Sequence, residues 1–316
     1  MRVVFWGSPE FAVATLDALL ASAHEVVAVL TQPPKPKGRG RTVEATPVQR
    51  RAEAAGIPVL APRKPRGAEF IAALQVLEPD VFVVAAYGAI LPPEVLVIPP
   101  RGAINVHASL LPDLRGAAPI TRAILEGRDE TGATIMRMDE GLDTGPTLLQ
   151  ARTLILPDDT AGTLTERIAA IGADLLVAAL DRLAAGTIEE RPQNHSAATY
   201  AEKVNAEEAR LDWRRPAEEL ERATRAYDPW PGASTTWRGE RLKVFRLVLV
   251  HDTGSEPGQV PATEPGTIVA MDPEPIVRAG DGLVRLREVQ PAAGRRMAAD
   301  AWARGRGVAP GDRLGA

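Results

Sequence analysis

Short apolar runs alternate with amphipathic segments along the first half of the chain. The apolar runs, each the length of a buried strand, lie at residues 3–6, 26–30, 81–85, 103–107 and 134–138. Between them, apolar residues recur at three- and four-residue spacing, which predicts helices at residues 11–20, 48–55, 70–76 and 120–125. Strands that alternate with helices indicate an α/β fold, in which a doubly wound parallel sheet carries helices on both faces.

A different pattern follows this half of the chain. Residues 164–183 repeat aliphatic residues at helical spacing and predict a long helix that closes a first domain at residues 1–185. Proline and polar residues then indicate a linker at residues 186–205. After a predicted helix, short strand-like runs separated by glycine and proline at residues 206–316 are typical of a smaller β-barrel domain. We expect the rings of Trp213 and Trp230 to pack in a core.

Composition narrows the class of protein. The 316 residues are 45% hydrophobic and 25% charged, which is enough to build a core without disulfides or metal ions. The absence of cysteine excludes a thiol nucleophile and any Cys-ligated metal site. No apolar stretch approaches membrane-spanning length, so we expect a cytoplasmic protein without a membrane anchor. The net charge of −4 argues against nucleic-acid binding over the whole surface, although a local basic patch stays possible.

Polar side chains stand where the predicted strand at residues 103–107 ends, which is where open α/β sheets bind ligands. Asn105 and His107 project to the same side of that strand, and a later segment supplies Asp143 between two glycines. These groups suit acyl transfer to an amine: Asn105 as an oxyanion donor, His107 as a base, Asp143 to orient it. A structural histidine and an aspartate that only forms a turn are the alternative interpretation.

Several segments resemble one known family in content and in order. They are F-W-G-S-P-E-F-A, Q-P-P-K-P-K-G-R-G-R, A-A-Y-G-A-I-L-P, I-N-V-H-A-S-L-L-P followed by R-G-A-A-P-I, T-I-M-R-M-D-E-G-L-D-T-G, and D-P-W-P-G-A. From the first strand to the predicted barrel, this set is similar to the methionyl-tRNA formyltransferases. The resemblance implies a Rossmann-like formyltransferase domain with a C-terminal OB-like barrel. It also implies formyl transfer from 10-formyltetrahydrofolate to the amino group of methionyl initiator tRNA, for translation initiation.

The resemblance also implies roles for the matching residues. Asn105, His107 and Asp143 match catalytic residues, and the folate cleft is expected beside three loops. Their matching residues are Tyr87, Gly88, Ala89, Ile90, Leu91, Ser109, Leu110, Leu111, Pro112, Asp139 and Gly141. No metal is expected, and we expect a monomer.

A basic segment follows the second predicted strand. Between residues 33 and 51 there are six basic residues and one acidic residue. Such a loop suits an RNA backbone, although many basic loops are only solvated. In the family that this chain resembles, the loop inserts at the acceptor end of the initiator tRNA. We therefore expect Lys35, Lys37, Arg39 and Arg41 to bind tRNA, with Arg39 as the first candidate, and the barrel domain to contact tRNA as well.

Other functions stay open at this point. A sugar-nucleotide formyltransferase would share the three catalytic residues without needing the basic loop, and a 10-formyltetrahydrofolate hydrolase would use water as the acceptor. The first turn, W-G-S-P-E, lacks the G-x-G-x-x-G of dinucleotide-binding enzymes, which argues against an oxidoreductase. A non-catalytic RNA-binding module would leave Asn105, His107 and Asp143 without a purpose.

Overall fold

The chain divides into two compact units in the computed structural model, which describes residues 1–37, 42–250 and 263–315. The first unit comprises Met1–Pro119, Glu130–Leu154 and Thr165–Ala201. The second comprises Ile120–Asp129, Ile155–Leu164 and Glu202–Ala316. Most of the segment predicted as a linker, residues 186–205, therefore groups with the first unit.

Most elements up to Ala201 belong to the first unit. Two of the helices in this part of the chain include residues of both units. The strands are β1 (Arg2–Gly7), β2 (Glu25–Leu30), β3 (Lys35–Lys37), β4 (Thr42–Glu44), β5 (Val59–Leu60), β6 (Val81–Ala85), β7 (Ala103–His107), β8 (Arg115–Gly116), β9 (Glu130–Arg137), β10 (Thr147–Leu154) and β11 (Tyr200–Ala201). The helices are α1 (Glu10–Ala21), α2 (Pro47–Ala54), α3 (Ala68–Gln75), α4 (Pro93–Leu96), α5 (Pro119–Leu125) and α6 (Ala161–Ala184). With 24 residues, α6 is the longest helix described, and none of the described helices is long and apolar enough to cross a membrane.

Seven strands of the first unit form one sheet in the order β10-β9-β7-β6-β1-β2-β5. The five strands from β7 to β5 are parallel, which confirms the predicted doubly wound α/β fold. β9 and β10 instead pair antiparallel at the edge, and the sequence did not predict β10. Alternate residues of this edge strand are exposed, so β10 lacks the continuous apolar run that marks a buried strand.

The sheet buries a different apolar cluster on each face, because successive side chains of a strand point to opposite sides. On one face, Phe5 and Ile104 pack against residues of α1, α2 and α6. On the other face, Trp6 and Phe82 pack with residues of α3 and α4, and their ring centroids lie 5.3 Å apart. We call this second group the Trp6 cluster, and it borders the candidate site.

The second unit is built mainly from antiparallel strands. Its further elements are α7 (Ala217–Ala226), β12 (Ser234–Trp237), β13 (Glu240–Leu249), β14 (Ile268–Asp272), β15 (Glu274–Arg278), β16 (Leu283–Pro291), β17 (Met297–Ala298) and α8 (Ala299–Arg306). The sheet order is β12-β13-β16-β15-β14, and β17 pairs with β16. Register shifts between β13 and β16 bend the strands. The strands form a curled half-barrel, which confirms the predicted barrel-like domain.

The C-terminal segment links the two edges of this half-barrel. Leu314 forms a bridge with Trp237 at the end of β12, and Arg313 forms one with Thr267 beside β14. Leu314 is 1% exposed, so it belongs to the core of the second unit.

The two tryptophans expected in a core have different surroundings. Trp213 is 4% exposed, and its indole N–H donates to Thr235 Oγ1 at 3.0 Å, which confirms the prediction. The prediction for Trp230 is wrong, because its side chain is 62% exposed. This ring lies in the turn after α7, between Pro229 and Pro231, and none of the described elements covers it.

Leu314→Ala tests the contribution of the C-terminal segment. The variant keeps the backbone hydrogen bonds of Leu314 and Gly315 to Gly266 and Thr236, and it removes only the buried side chain. We expect the free energy of unfolding of the second unit to fall by about 2–5 kcal/mol, measured by denaturant titration. Leu156→Ala, at a side chain 49% exposed in the same unit, should cost about 1 kcal/mol or less. Equal losses would contradict a core position for Leu314.

Candidate active site

Two polar side chains lie near the carboxyl end of β7, on the face of the sheet that carries the Trp6 cluster. Ala103 packs in that cluster, and Asn105 and His107 follow it at two-residue spacing. His107 is 5% exposed, whereas Asn105 is half-buried. Among the residues that the structure describes, none forms a hydrogen bond with the side-chain amide of Asn105. That amide is therefore available to a bound molecule.

A backbone contact fixes the tautomer of His107. Its Nε2 lies 3.0 Å from the carbonyl oxygen of Leu114. Because a carbonyl oxygen only accepts, Nε2 must carry the proton, which leaves Nδ1 as the proton acceptor of the neutral ring. Leu114 has a φ of 56°, and its N–H donates to Thr199 Oγ1 at 2.8 Å. The loop that follows β7 thus holds the imidazole in one orientation.

Asp143 faces the free nitrogen of this imidazole. Its Oδ2 lies 3.6 Å from His107 Nδ1 and accepts the N–H of Gly116 at 2.8 Å. The carboxylate would form an ion pair with His107 once Nδ1 is protonated. Asp143 has a φ of 53°, and a Cβ at the nearby Gly145 would meet the carbonyl oxygen of Arg137 at 2.0 Å. The glycine therefore permits the tight chain path that brings Asp143 to His107.

A second layer of buried polar groups supports Asp143, and sequence reasoning missed it. Gln193 donates from Nε2 to the carbonyl oxygens of Asp143 and Gly145, at 2.9 and 2.7 Å. Arg115 in turn donates to Gln193 Oε1 from Nε and Nη2. Gln193 lies in the segment predicted as a linker, where a polar residue is expected to be exposed, so the local sequence carries no signal for this contact.

The Ser-Leu-Leu-Pro loop, residues 109–112, is held mostly by its own chain. Thr134 Oγ1 donates to the Ser109 carbonyl at 2.6 Å and accepts the Leu111 N–H at 3.1 Å. Ser109 and Leu111 are buried, and Ser109 Oγ donates to the Asp113 carbonyl. Leu110 and Pro112 are half-buried, so their side chains are the ones in this loop that retain exposed surface.

The loop at residues 87–91 combines a buried ring with an exposed backbone. Tyr87 is 2% exposed, and its ring meets Trp6 edge-on with centroids 5.1 Å apart. Burial raises the pKa of the Tyr87 hydroxyl to about 12. Gly88 and Ala89 are exposed, and Ile90 is 85% exposed. Tyr87 therefore supports the loop from the core, and the next three residues face solvent.

The loop at residues 139–142 is shaped by one carboxylate. Asp139 Oδ1 accepts the N–H of Gly141 at 3.1 Å and the hydroxyl of Thr144 at 2.6 Å. Leu142 is 58% exposed. The loop thus presents an apolar side chain immediately before Asp143.

The basic segment includes a two-stranded hairpin, and its last two basic residues, Arg50 and Arg51, lie on α2. Lys35 and Lys37 lie on β3, which pairs antiparallel with β4, while Arg39 and Arg41 lie outside the described residues. Thr31 and Thr46 flank the hairpin, and their hydroxyl oxygens are 2.7 Å apart.

Ser8 links this hairpin to the loop at residues 87–91. Its Oγ accepts the N–H of Gln32 at 3.1 Å and donates to the carbonyl oxygen of Tyr87 at 3.1 Å. The hairpin therefore leaves the sheet at the same edge as the loop that contains Tyr87.

Comparison with known proteins connects this arrangement to a family. Residues 1–180 match the formyl transferase family, and residues 203–307 match the formyl transferase C-terminal domain. A methionyl-tRNA formyltransferase from Roseiflexus sp. (strain RS-1) is 47% identical over 100% of this chain and 95% of its own length. Further relatives at 46% to 51% identity carry the same name.

Solved structures with low sequence identity share the fold. HypX from Aquifex aeolicus in complex with tetrahydrofolic acid has a TM-score of 0.64 at 16% identity, over 96% of this chain and 47% of HypX, so the chain spans about half of that protein. An N-formyltransferase from Helicobacter canadensis, solved with folinic acid and dTDP-3-aminofucose, has a TM-score of 0.65 at 18% identity, over 90% of this chain and 99% of its own. By its full-length sequence similarity, this chain belongs to the methionyl-tRNA formyltransferase family.

Proposed function

We propose that this protein transfers the formyl group of 10-formyltetrahydrofolate to the free amino group of methionyl initiator tRNA. Full-length similarity to relatives named for this reaction supports the proposal. The observation that carries it is the contact between His107 and Asp143, on the same face of the sheet as the free amide of Asn105. Such an enzyme serves translation initiation, and we expect it to act in the cytoplasm as a monomer.

The amide of Asn105 suits stabilisation of the negative charge that formyl transfer creates. 10-Formyltetrahydrofolate supplies the formyl carbon, which the acceptor amine attacks. Charge then accumulates on the formyl oxygen, and a donor already aimed at that position lowers the barrier. Asn105 has two amide N–H groups that make no bond within the described protein, so one of them can donate to this oxygen.

His107 and Asp143 suit the proton transfer that accompanies attack. The amine must lose a proton as its nitrogen bonds to the formyl carbon. Nε2 of His107 already carries a proton and donates it to Leu114, so Nδ1 is the nitrogen that accepts. The carboxylate of Asp143, 3.6 Å away, stabilises the resulting imidazolium, and the proton then becomes available to the folate nitrogen that leaves.

The loops at residues 87–91 and 139–142 have the features that a pterin ring requires. A flat heterocycle needs donors and acceptors at its edge and apolar surface on its faces. The backbone groups of residues 88–91 form no hydrogen bond within the described part of the chain, and Ile90 and Leu142 expose apolar side chains. We assign the folate to these loops and to Leu110 and Pro112. The buried Tyr87, Ser109 and Leu111 support the cleft from behind.

The basic hairpin is our candidate for contact with the tRNA. Residues 35–41 hold four basic residues and no acidic one, in a chain of net charge −4, and such a local excess of positive charge favours RNA binding at one place. The contact of Ser8 with Tyr87 ties the hairpin to the sheet edge that carries the proposed folate loop. A small-molecule acceptor, such as an amino sugar, gives no physical reason for this charge.

Transfer of labelled formyl groups tests the reaction and its acceptor. We expect the purified protein to move label from 10-formyltetrahydrofolate to methionyl initiator tRNA, and to label elongator methionyl-tRNA much less. Release of formate without tRNA would instead indicate a hydrolase, and labelling of an amino-sugar nucleotide would indicate a sugar formyltransferase. Equal labelling of both tRNAs would remove the claim of initiator selectivity.

Asp143→Asn tests the proton-transfer assignment. The amide oxygen can still accept the Gly116 N–H, but the negative charge that faces His107 is lost. We expect kcat to fall by about 10²- to 10⁴-fold, with tRNA affinity unchanged in a filter-binding assay. The matched control is Asp174→Asn, which makes the same change at an exposed position on α6 and should leave kcat unaltered. A normal kcat in Asp143→Asn would remove the carboxylate from the mechanism.

Arg39→Ala tests the basic hairpin. Removal of one phosphate contact should weaken tRNA binding and reduce the slope of log K against log salt concentration by about 0.7–0.9. At saturating tRNA we expect kcat to stay close to that of the unchanged protein, because the catalytic groups are intact. Arg66→Ala removes an exposed arginine outside the hairpin and serves as the control. An unaltered salt slope in Arg39→Ala would contradict a phosphate contact.

A further inference from the structure

Gln193 occupies an unusual position for a residue in a connecting segment. It is 8% exposed, and its Nε2 donates to the carbonyl oxygens of Asp143 and Gly145, at 2.9 and 2.7 Å. Thr144 lies between these two residues, so a single amide group holds both ends of the turn at residues 143–145. The backbone on which Asp143 stands is therefore fixed by a side chain 50 residues away in the sequence.

Arg115 determines which way the amide of Gln193 points. A guanidinium group only donates hydrogen bonds, so the Gln193 oxygen must face it, at 2.7 Å from Nη2 and 3.2 Å from Nε. The Gln193 NH₂ group must then face the two carbonyls. Nη2 of Arg115 also lies 3.2 Å from His195 Nδ1. Each polar atom of the Gln193 amide thus has one assigned role.

The burial of Arg115 needs an explanation. The side chain is 2% exposed, and no carboxylate among the described residues forms an ion pair with it. Burial of a charge is costly unless its hydrogen bonds are well satisfied, and it is found mainly where structure or chemistry requires a fixed geometry. Its sequence neighbour Gly116 donates its N–H to Asp143 Oδ2. Arg115 therefore holds the backbone of Asp143 through Gln193, and Gly116 holds the carboxylate of Asp143 directly.

We propose that Gln193 and Arg115 are positioning residues, which together set the Asp143 carboxylate opposite Nδ1 of His107. This inference rests on the proposed function, because it assigns the pair a role in formyl transfer. Asp143 has a φ of 53°, in the left-handed region, which costs backbone energy that contacts with its surroundings offset. We call Gln193 and Arg115 together the clamp. Without the clamp, the turn relaxes and the carboxylate of Asp143 moves away from the imidazole of His107. A displacement of about 1 Å at a reacting group costs on the order of 10²-fold in rate.

Gln193→Glu separates a positioning role from a purely structural one. The new carboxylate has the same shape and pairs well with Arg115, so the fold keeps its buried contact. It cannot donate, however, and both carbonyls of the turn lose their partner. We expect a folded protein with a lower melting temperature, because two buried carbonyls lose their donor. We also expect KM values within about twofold and a kcat lower by roughly 10- to 100-fold.

Hydrogen exchange gives a second readout that is independent of turnover. The Gly116 N–H is protected by its bond to Asp143 Oδ2, so release of Asp143 should speed exchange in the peptide that contains residue 116. Gln290→Glu is the control: Gln290 lies in the second unit and donates to the Gly294 carbonyl. This control should leave both kcat and the exchange near residue 116 unaltered.

Arg115→Lys tests the other half of the clamp without a change of charge. The lysine keeps the positive charge but cannot donate from two nitrogens in a fixed fork, so Gln193 is held less firmly. We expect a fall in kcat smaller than in Gln193→Glu, again with faster exchange at residue 116. This variant decides the question if Gln193→Glu does not fold.

The outcomes distinguish this inference from the proposed function. If the unchanged protein formylates tRNA and both variants match it in kcat and exchange, the positioning role is wrong and the function stands. If the unchanged protein transfers no formyl group, the proposed function fails. The exchange at residue 116 would then still show whether Gln193 holds Asp143, and unaltered exchange would refute the clamp.

Discussion

The hydrogen bond between His107 and the carbonyl of Leu114 is the contact on which the proposed chemistry of the site depends. It assigns the proton of the neutral imidazole to Nε2 and leaves Nδ1 to face Asp143. The bond exists only because the loop after β7 turns back on itself, with Leu114 at positive φ and its N–H held by Thr199. The conformation of this loop therefore determines which nitrogen of His107 carries the proton.

A single strand connects that loop to the rigid part of the fold. The side chains of Ile104 and Val106 are buried against the helices on one face of the sheet, while Asn105 and His107 lie on the other. Because the two sets alternate, tight packing on the first face fixes the position of the polar groups on the second. The Trp6 cluster and the buried ring of Tyr87 then support the adjoining loop at residues 87–91. This division explains how the half-buried amide of Asn105 is held in place although no described residue bonds to it.

Positive charge is distributed unevenly in this protein. The chain as a whole is acidic, with a net charge of −4, so its affinity for a polyanion must come from a local excess of positive charge. Residues 35–41 supply such an excess, with four basic residues and no acidic one. This stretch starts in β3, just after Gln32, whose N–H donates to Ser8 at the end of β1. In the second unit, many arginines are already engaged in ion pairs, as Arg296 is with Asp228 and Glu288. Positive charge that is neutralised within the protein contributes little to RNA binding.

The sequence by itself determined the features that repeat locally. Alternating apolar runs predicted the doubly wound sheet, and the position of Asn105 and His107 at the end of β7 followed from two-residue periodicity. Only the tertiary structure decided the antiparallel edge formed by β9 and β10, the exposure of Trp230, the tautomer of His107 and the contact of Arg115 with Gln193. Arg115 and Gln193 are 78 residues apart. Periodicity records how each residue is buried relative to its near neighbours, whereas such a contact depends on how distant segments pack, and no local pattern encodes it.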